Sequence, residues 1–149
     1  MNDGDQDGWT PFIRACFHGH VHVVKLLLDQ ADIKNIDLNA KDETGGTAFT
    51  SACGNGYIDV VKLLLDHSDI KNIDLNAKNY KGWTGFKGAC INAHKDIVKL
   101  LLDNSDLKNI NLDVDNINLQ SLAHKHGHSH VVNLLAKYIA IQSDVKSQK

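Results

Sequence analysis

A block of apolar residues followed by a polar, aspartate-rich segment recurs along this chain and organises the whole sequence. The segment VVKLLLDQADIKNIDLNAK at residues 23–41 returns as VVKLLLDHSDIKNIDLNAK at residues 60–78, and IVKLLLDNSDLKNINLDV follows at residues 97–114. Three cysteines lie 37 residues apart and fix the register of these copies: Cys16, Cys53 and Cys90. Self-similarity at a fixed period of this size predicts an array of stacked supersecondary units.

The spacing of apolar residues predicts two helices in each unit. In the first unit, Thr10 suits an N-cap and Pro11 suits the first helical position, so a short helix should run to about His18 and end at Gly19. The second helix, at about residues 21–29, is apolar on most sides. Neighbouring units should therefore cover both of its flanks.

The fourth unit, residues 117–141, departs from the other three. Its leading turn lacks three residues, and its final helix should end near Ile141. Residues 143–149 are then expected to form a solvated tail.

Four motifs recur in the units: a threonine-led helix start (TPFI, TAFT and TGFK), a small-residue pair in the first helix, Gly-His before the second helix, and the VVKLLL helix. In combination these motifs resemble the ankyrin repeat over about residues 5–135. The pairs are Ala15–Cys16, Ala52–Cys53, Ala89–Cys90 and Ala123–His124, and the Gly-His positions are Gly19–His20 and Gly127–His128.

The resemblance implies an all-α solenoid of stacked antiparallel helix pairs with projecting β-hairpin turns. It also implies that the concave side and the turn tips bind other proteins. We expect a single domain, residues 1–149, with repeats at about 5–41, 42–78, 79–115 and 116–141 and a C-terminal tail at 142–149.

Two departures from the ankyrin pattern change the expected structure. The motif histidine is replaced in every copy, so its hydrogen bonds should be missing or replaced (Ile13, Thr50, Lys87 and Ser121 stand there). The period of 37 residues exceeds the family's period of about 33 by roughly one helical turn. We predict an additional helical turn on one rim, with Ile33 and Ile36 able to bury one face. A left-handed asparagine would end that turn in each copy (Asn35, Asn72 and Asn109).

Composition excludes several classes of protein. With 42% hydrophobic residues, 23% charged residues and a net charge of −2, the chain lacks the basic excess of a nucleic-acid binder. No apolar run approaches the roughly 18 residues of a membrane span, and the N-terminus has no signal-peptide pattern.

Equivalent cysteines in stacked repeats should lie about 10 Å apart, too far for a disulfide. Free thiols favour the cytosol or the nucleus.

The candidate binding residues lie in columns that vary between repeats. Framework positions should repeat, whereas the turn tips and the end of the first helix carry large aromatic residues without a periodic core role. Tryptophan and tyrosine are enriched at interface hot spots. The candidates are Trp9, Phe17, Glu43, Asn55, Tyr80, Lys81, Trp83, Ile91 and Asn92. For either tryptophan alone, covering the turn of the neighbouring repeat is an equally good interpretation.

Chemistry at other residues is not favoured, so no enzyme, metal or cofactor is expected. Histidine runs at HGHVH and HKHGHSH could suggest zinc, but alternate residues of a turn tend to point apart, and a solvated turn is preferred. The cysteines are equivalent by repeat, which favours core packing over a single activated nucleophile. Asp42 and Glu43 are interpreted as solvated charges on a turn tip. Asn39 and Asn76 resemble ankyrin asparagines that oxygen-dependent hydroxylases modify, but they would more simply hold their loops by hydrogen bonds.

Two functional hypotheses remain open. In the first, the chain is a protein-interaction module that binds another protein, without nucleic acid or membrane, through the turn tips and the concave first-helix face. In the second, it is a structural or self-assembling element, or a piece of a longer array, that associates end to end. The second hypothesis depends on the first unit, which has no polar cap and offers Trp9, Phe12 and Phe17.

Overall fold

The protein consists of antiparallel helix pairs stacked side by side. A computed structural model describes residues 2–112, 121 and 123–148. The helices are α1 (Pro11–Phe17), α2 (Val21–Gln30), α3 (Ala48–Asn55), α4 (Ile58–Lys71), α5 (Gly85–Ile91), α6 (Lys95–Asp103) and α7 (Ser129–Ser147). Residues 123–125 are also helical. No β-strand occurs within these ranges. The all-α class and the two-helix unit are confirmed.

Threonine caps fix where the first helix of each repeat begins. The hydroxyl oxygen accepts the backbone N–H three residues on, at 3.2, 3.3 and 3.2 Å for Thr10, Thr47 and Thr84. The predicted cap at Thr10 is therefore confirmed. In the second repeat, Thr50 occupies the position of the motif histidine, and its hydroxyl oxygen accepts the N–H of Thr47 at 2.8 Å. Here a bond within the repeat replaces those of the histidine.

The core runs continuously through the stack between the two layers of helices. Each of the first three repeats has one phenylalanine that is almost completely buried: Phe12, Phe49 and Phe86. Small residues bring the first helices close together, and a Cβ on Gly85 would lie only 3.0 Å from Cys53 Sγ. The first helices of successive repeats pack against one another more extensively than the second helices do. The first helices therefore form the more closely packed of the two layers, and we call the exposed side of this layer the inner face.

The second helix of the first repeat is covered on one flank only, so the prediction of two covered flanks is wrong for α2. Val23 is 46% exposed and Leu26 is 59% exposed. Their equivalents in α4, Val60 and Leu63, are buried and half-buried respectively. The difference arises because α2 packs against α4 on one flank, whereas the described residues 2–10, which come before α1, form no helix that could cover the other flank.

The predicted additional turn is present in all three long repeats. In the second repeat α4 itself continues to Lys71, and in the other two the segment forms hydrogen-bonded turns. The predicted left-handed asparagines are confirmed, with φ of 51°, 54° and 53° at Asn35, Asn72 and Asn109. The next residue, Ile36, donates its N–H to the carbonyl of Ala31 at 2.8 Å, which is the Schellman arrangement.

Only one of the two apolar residues in each additional turn is buried. Ile36, Ile73 and Ile110 are 9%, 7% and 7% exposed, as expected for the residue that follows a left-handed cap. Ile33 does not share that buried face and is 79% exposed. The expectation that Ile33 and Ile36 bury a common face is therefore wrong, because Ile33 lies on the solvent side of the turn.

The C-terminal helix is longer than predicted. α7 continues to Ser147 instead of ending near Ile141, so most of the expected tail is helical although residues 143–147 are exposed. No glycine or proline interrupts this segment, and Ile141 and Val145 share a helix face at a spacing of four. The leading turn of the fourth repeat, including Ile117 and the boundary at 115/116, lies outside the described residues.

Candidate interaction surface

A polar side chain organises each turn tip from inside the turn. Asp42 Oδ1 accepts the backbone N–H groups of Thr44 and Gly46 at 2.8 and 3.0 Å, and the Thr44 hydroxyl at 2.6 Å. Asp42 is only 8% exposed. The interpretation of Asp42 as a solvated charge is therefore wrong, whereas Glu43 beside it is exposed. The carboxylate is needed as an acceptor for main-chain donors that would otherwise be unsatisfied.

Asp5 and Asn79 occupy the same position in their own turns. Asp5 Oδ1 accepts the N–H groups of Asp7 and Trp9, each at 3.0 Å. The bond from Trp9 lowers the pKa of Asp5 most, desolvation opposes it, and the bond from Asp7 and the nearby Arg14 guanidinium lower the pKa further. Each turn is closed by a main-chain bond, such as Asp42 N–H to the carbonyl of Gly46 at 2.9 Å.

Main-chain hydrogen bonds also join one turn tip to the next. Glu43 donates its N–H to the carbonyl of Asp7 at 2.9 Å, and Tyr80 donates to the carbonyl of Thr44 at 2.9 Å. The tips therefore project as hydrogen-bonded turns linked in a row. This linkage holds their side chains at fixed positions along the edge of the first-helix layer.

The ends of the first helices are linked in the same direction. The Asn55 amide donates to the carbonyl of Phe17 at 3.1 Å, and the Asn92 amide donates to the carbonyl of Gly54 at 2.8 Å. These two candidate binding residues therefore use part of their hydrogen-bonding capacity to join repeats. They remain exposed at the surface.

The histidine before the second helix joins repeats as well. His94 Nε2 lies 2.8 Å from the carbonyl oxygen of Gly54, and His128 Nε2 lies 2.6 Å from that of Ile91. Both histidines are half-buried. The interpretation of the Gly-His position as a solvated turn is therefore wrong for His128.

A shallow cavity of about 240 Å³ opens between the turn tips and the first helices. Five candidate residues line it: Trp9, Phe17, Asn55, Trp83 and Asn92. Ser51 and Gly88 also line it from the first helices, although they were not among the predicted residues. Their column also contains Arg14 and therefore varies between repeats, which was the signal that could have identified it.

The two tryptophans lie at opposite ends of this cavity in different surroundings. The Trp9 ring meets Phe17 edge-on at 4.5 Å between ring centroids, and the Arg14 guanidinium lies 5.5 Å from the Trp9 centroid. The Trp83 ring has two cations over it, Lys81 Nζ at 5.5 Å and Lys87 Nζ at 5.9 Å. Both tryptophans are half-buried, so part of each indole remains available.

The other four candidates lie outside the cavity. Glu43, Tyr80 and Lys81 are exposed on the turn tips, and Ile91 is half-buried at the end of α5. Tyr80 packs across the neighbouring turn, because a Cβ on Gly45 would lie 2.7 Å from the Tyr80 ring. Tyr80 therefore covers the turn of the preceding repeat.

The three cysteines have low reactivity. All three are free and buried, as predicted. Desolvation raises the pKa of Cys16 and Cys90 to about 12 and raises that of Cys53 as well. These thiols are protonated at neutral pH and are poor nucleophiles.

The histidine runs are arranged differently from the prediction. The rings of His18 and His20 stack at 5.8 Å between centroids, so these alternate residues do not point apart. Among the residues that the structure describes, no group of three or more His, Cys, Asp or Glu side chains could hold a metal ion. No helix in the described part of the chain is long and apolar enough to cross a membrane.

The helix pairs are hydrogen-bonded from repeat to repeat at their turn tips and at the ends of their first helices. This arrangement is a helical-repeat solenoid. The family model for ankyrin repeats (three copies) matches residues 1–79, which is more than half of the sequence. The chain belongs to the ankyrin repeat family. Ankyrin repeats are generally protein–protein interaction modules and are typically non-catalytic. A search of curated proteins found no match.

Proposed function

We propose that this chain is a non-catalytic module that binds another protein through the turn tips and the inner face of the first helices. The observation that carries the proposal is the cavity where five variable residues of three repeats meet, with a half-buried tryptophan at each end. Indole rings supply large contact areas at low conformational cost, and such residues dominate interface energetics.

The size of the cavity favours a protein side chain over a small molecule. Its volume of about 240 Å³ lies below the roughly 300–1,000 Å³ that is usual for small-molecule sites. It is bordered by the exposed tip residues Glu43, Tyr80 and Lys81, which extend the surface beyond the cavity. A loop or helix of a partner could insert one side chain between the tryptophans and contact the tips around it. The single domain requires no cofactor for this role.

Affinity capture from cell lysate tests the proposal. The unaltered protein is compared with Tyr80→Ala/Trp83→Ala and with Ile141→Ala/Val145→Ala, a control pair of exposed residues on α7. Helicity and mass in solution are matched beforehand. Loss of a captured protein from the first variant alone supports the proposal. Identical captures from all three proteins would contradict it.

End-to-end association is the second candidate, and one observation favours it. Val23 and Leu26 expose an aliphatic face of α2 whose equivalent in α4 is covered by the preceding repeat. A further helix pair, from another copy or from a longer array, would cover that face. Sedimentation velocity over a range of concentrations tests this. Association would be established if the mass of the unaltered protein rises with concentration while the Val23→Ser/Leu26→Ser variant stays monomeric.

We further propose that the protein works in the cytosol or the nucleus, because its three buried cysteines are free. Binding to nucleic acid or membrane is not part of the proposed function. Trapping of the thiols with a membrane-permeant alkylating reagent, followed by mass analysis under denaturing conditions, would reveal any disulfide formed in cells. An oxidised population would contradict this placement.

A further inference from the structure

A row of exposed aliphatic side chains runs along the rim formed by the additional turns. Ile33 and Ile70 are each 79% exposed and Leu107 is 77% exposed, more than any other large aliphatic residue in the described part of the chain. The fold does not need them, because Ile36 and its equivalents already fill the apolar position of each turn. We call Ile33, Ile70 and Leu107 the rim row.

Ion pairs beside the row hold neighbouring turns in register. Lys71 Nζ lies 2.6 Å from Asp32 Oδ2, and Lys108 Nζ lies 2.7 Å from Asp69 Oδ2. The two lysine side chains are only 13% and 14% exposed, so these links are packed along their stems. Each joins the residue after one rim-row member to the residue before the previous member. Successive members are therefore one repeat apart, and neighbouring packed helices lie about 8–10 Å apart.

The surroundings of the rim row carry an excess of negative charge. The segments 29–37, 66–74 and 103–111 contain eight aspartates and three lysines. Two of these lysines are engaged in the ion pairs between repeats, while the carboxylates of Asp32 and Asp69 remain 81% and 75% exposed. Lys25 and Lys99 pair with Asp29 and Asp103 from one helical turn earlier, yet the acidic groups still predominate.

We propose that the rim row binds an amphipathic helix of a partner protein, with aliphatic residues at heptad spacing and basic residues beside them. Seven residues of a helix rise about 10.5 Å, which is close to the spacing of neighbouring packed helices. A β-strand presents residues on one face about every 6.6–6.8 Å and does not match it. The acidic surroundings select lysine and arginine flanks and repel anionic surfaces. This surface shares no residue with the cavity, so the inference does not rest on the function proposed above.

Fluorescence anisotropy with a synthetic peptide tests the spacing. The probe is a labelled helix of about three heptads with leucine at every seventh position and lysine on either side. A second peptide has the same composition but its leucines are moved off the common face. A third carries glutamate in place of lysine. We expect the first peptide to bind the unaltered protein at least about tenfold more tightly than either control, and its binding to weaken as salt is raised.

Two variants test the location. Ile33→Ser/Ile70→Ser/Leu107→Ser removes the rim row, and Leu26→Ser/Ile141→Ser/Val145→Ser removes three exposed aliphatic residues elsewhere. Circular dichroism checks that both retain their helicity. We expect the rim variant to bind the heptad peptide about tenfold more weakly and the control variant to bind it as the unaltered protein does.

Five outcomes would overturn the inference. Equal binding of the first and second peptides contradicts the heptad spacing. This result uses only the unaltered protein, so it does not depend on the stability of any variant. Equal loss in both variants, or loss in neither, contradicts the location. Rim-dependent binding to phosphatidylserine vesicles with no binding of the peptide assigns the row to a lipid surface. Rim-dependent self-association, measured by sedimentation, assigns it to a second copy of this chain.

Discussion

The side chain of Asn39 bridges two repeats at a single point of the next loop. Its amide nitrogen donates to the carbonyl of Asn72 at 2.8 Å, and its amide oxygen accepts the N–H of Asp74 at 2.8 Å. Asn76 makes the same two bonds to Asn109 and Asn111, at 2.9 and 2.7 Å. Asparagines predicted to hold their loops by hydrogen bonds do so, but the loop that they hold belongs to the following repeat.

Replacing Asn39 should weaken the junction between the first two repeats. Asn39→Ala removes both bonds and leaves a carbonyl and an N–H to seek water, so we expect a loss of about 1–2 kcal/mol in the free energy of unfolding. Glu43→Ala, which alters an exposed tip residue of the same junction, is the matched control and should change it by less than about 0.5 kcal/mol. Urea unfolding followed by circular dichroism measures both. Indistinguishable midpoints would show that the bridge contributes nothing.

The left-handed conformation of Asn72 gives a second prediction. At a φ of 54°, a β-carbon is strained unless the side chain compensates, so Asn72→Ala should cost about 1 kcal/mol in the free energy of unfolding. Asn72→Gly keeps the backbone conformation without that strain and should stay within about 0.5 kcal/mol of the unaltered protein. Neither substitution removes the carbonyl that Asn39 binds. Thermal unfolding compares the two variants, and a Gly variant less stable than the Ala variant would refute the argument.

Two glycines of α5 should respond differently to alanine. A Cβ on Gly88 would make only an ordinary contact, 3.6 Å from Gly54 Cα, so Gly88→Ala should gain about 0.5–1 kcal/mol from helix propensity. A Cβ on Gly85 would lie 3.0 Å from both Cys53 Sγ and Phe49 Cε1. Since these side chains must shift, Gly85→Ala should be at least about 1 kcal/mol less stable than Gly88→Ala. Chemical denaturation of the pair checks the difference, and the reverse order would mean that the inner helices separate freely.

The buried thiols should make the fold sensitive to alkaline pH. The pKa of Cys16 and Cys90 rises from 9.0 to about 12 on folding, so the folded state holds these protons more tightly than the unfolded state does. Their contribution is complete below pH 9 and declines as the pH rises from about 9 to about 12, by roughly 1.4 kcal/mol per pH unit for each thiol.

Urea midpoints measured between pH 8 and pH 10.5 check this dependence. Cys16→Ala/Cys90→Ala serves as the control, because it lacks both thiols and is otherwise identical to the unaltered protein. The alkaline loss of stability should be clearly smaller in the control. Parallel pH profiles for the two proteins would exclude the thiols as its cause.

Local features of the fold could be predicted from the sequence because both partners of each interaction lie within a few residues of each other in the chain. The cap at Thr10 needs only the N–H of Ile13, and the left-handed Asn35 ends a turn whose hydrogen bonds lie inside the same segment. The 37-residue period likewise required helix pairs that stack. Variable columns pointed to both tryptophans and to the ends of the first helices, and the structure brings five of those nine candidates around one cavity.

The tertiary structure alone decided which of several equivalent side chains face water. Val23 and Val60 occupy the same column and differ only in whether a helix pair lies on the preceding side. Ile33 and Ile36 fit one helical stripe, yet the left-handed residue between them turns only the second into the core. His128 joins two repeats because the carbonyl oxygen of Ile91, in the previous repeat, lies within hydrogen-bonding distance of its ring. The exposure of a side chain and its long-range hydrogen bonds depend on which residues of the neighbouring repeat lie opposite it. A repeating sequence does not specify these neighbours for each position.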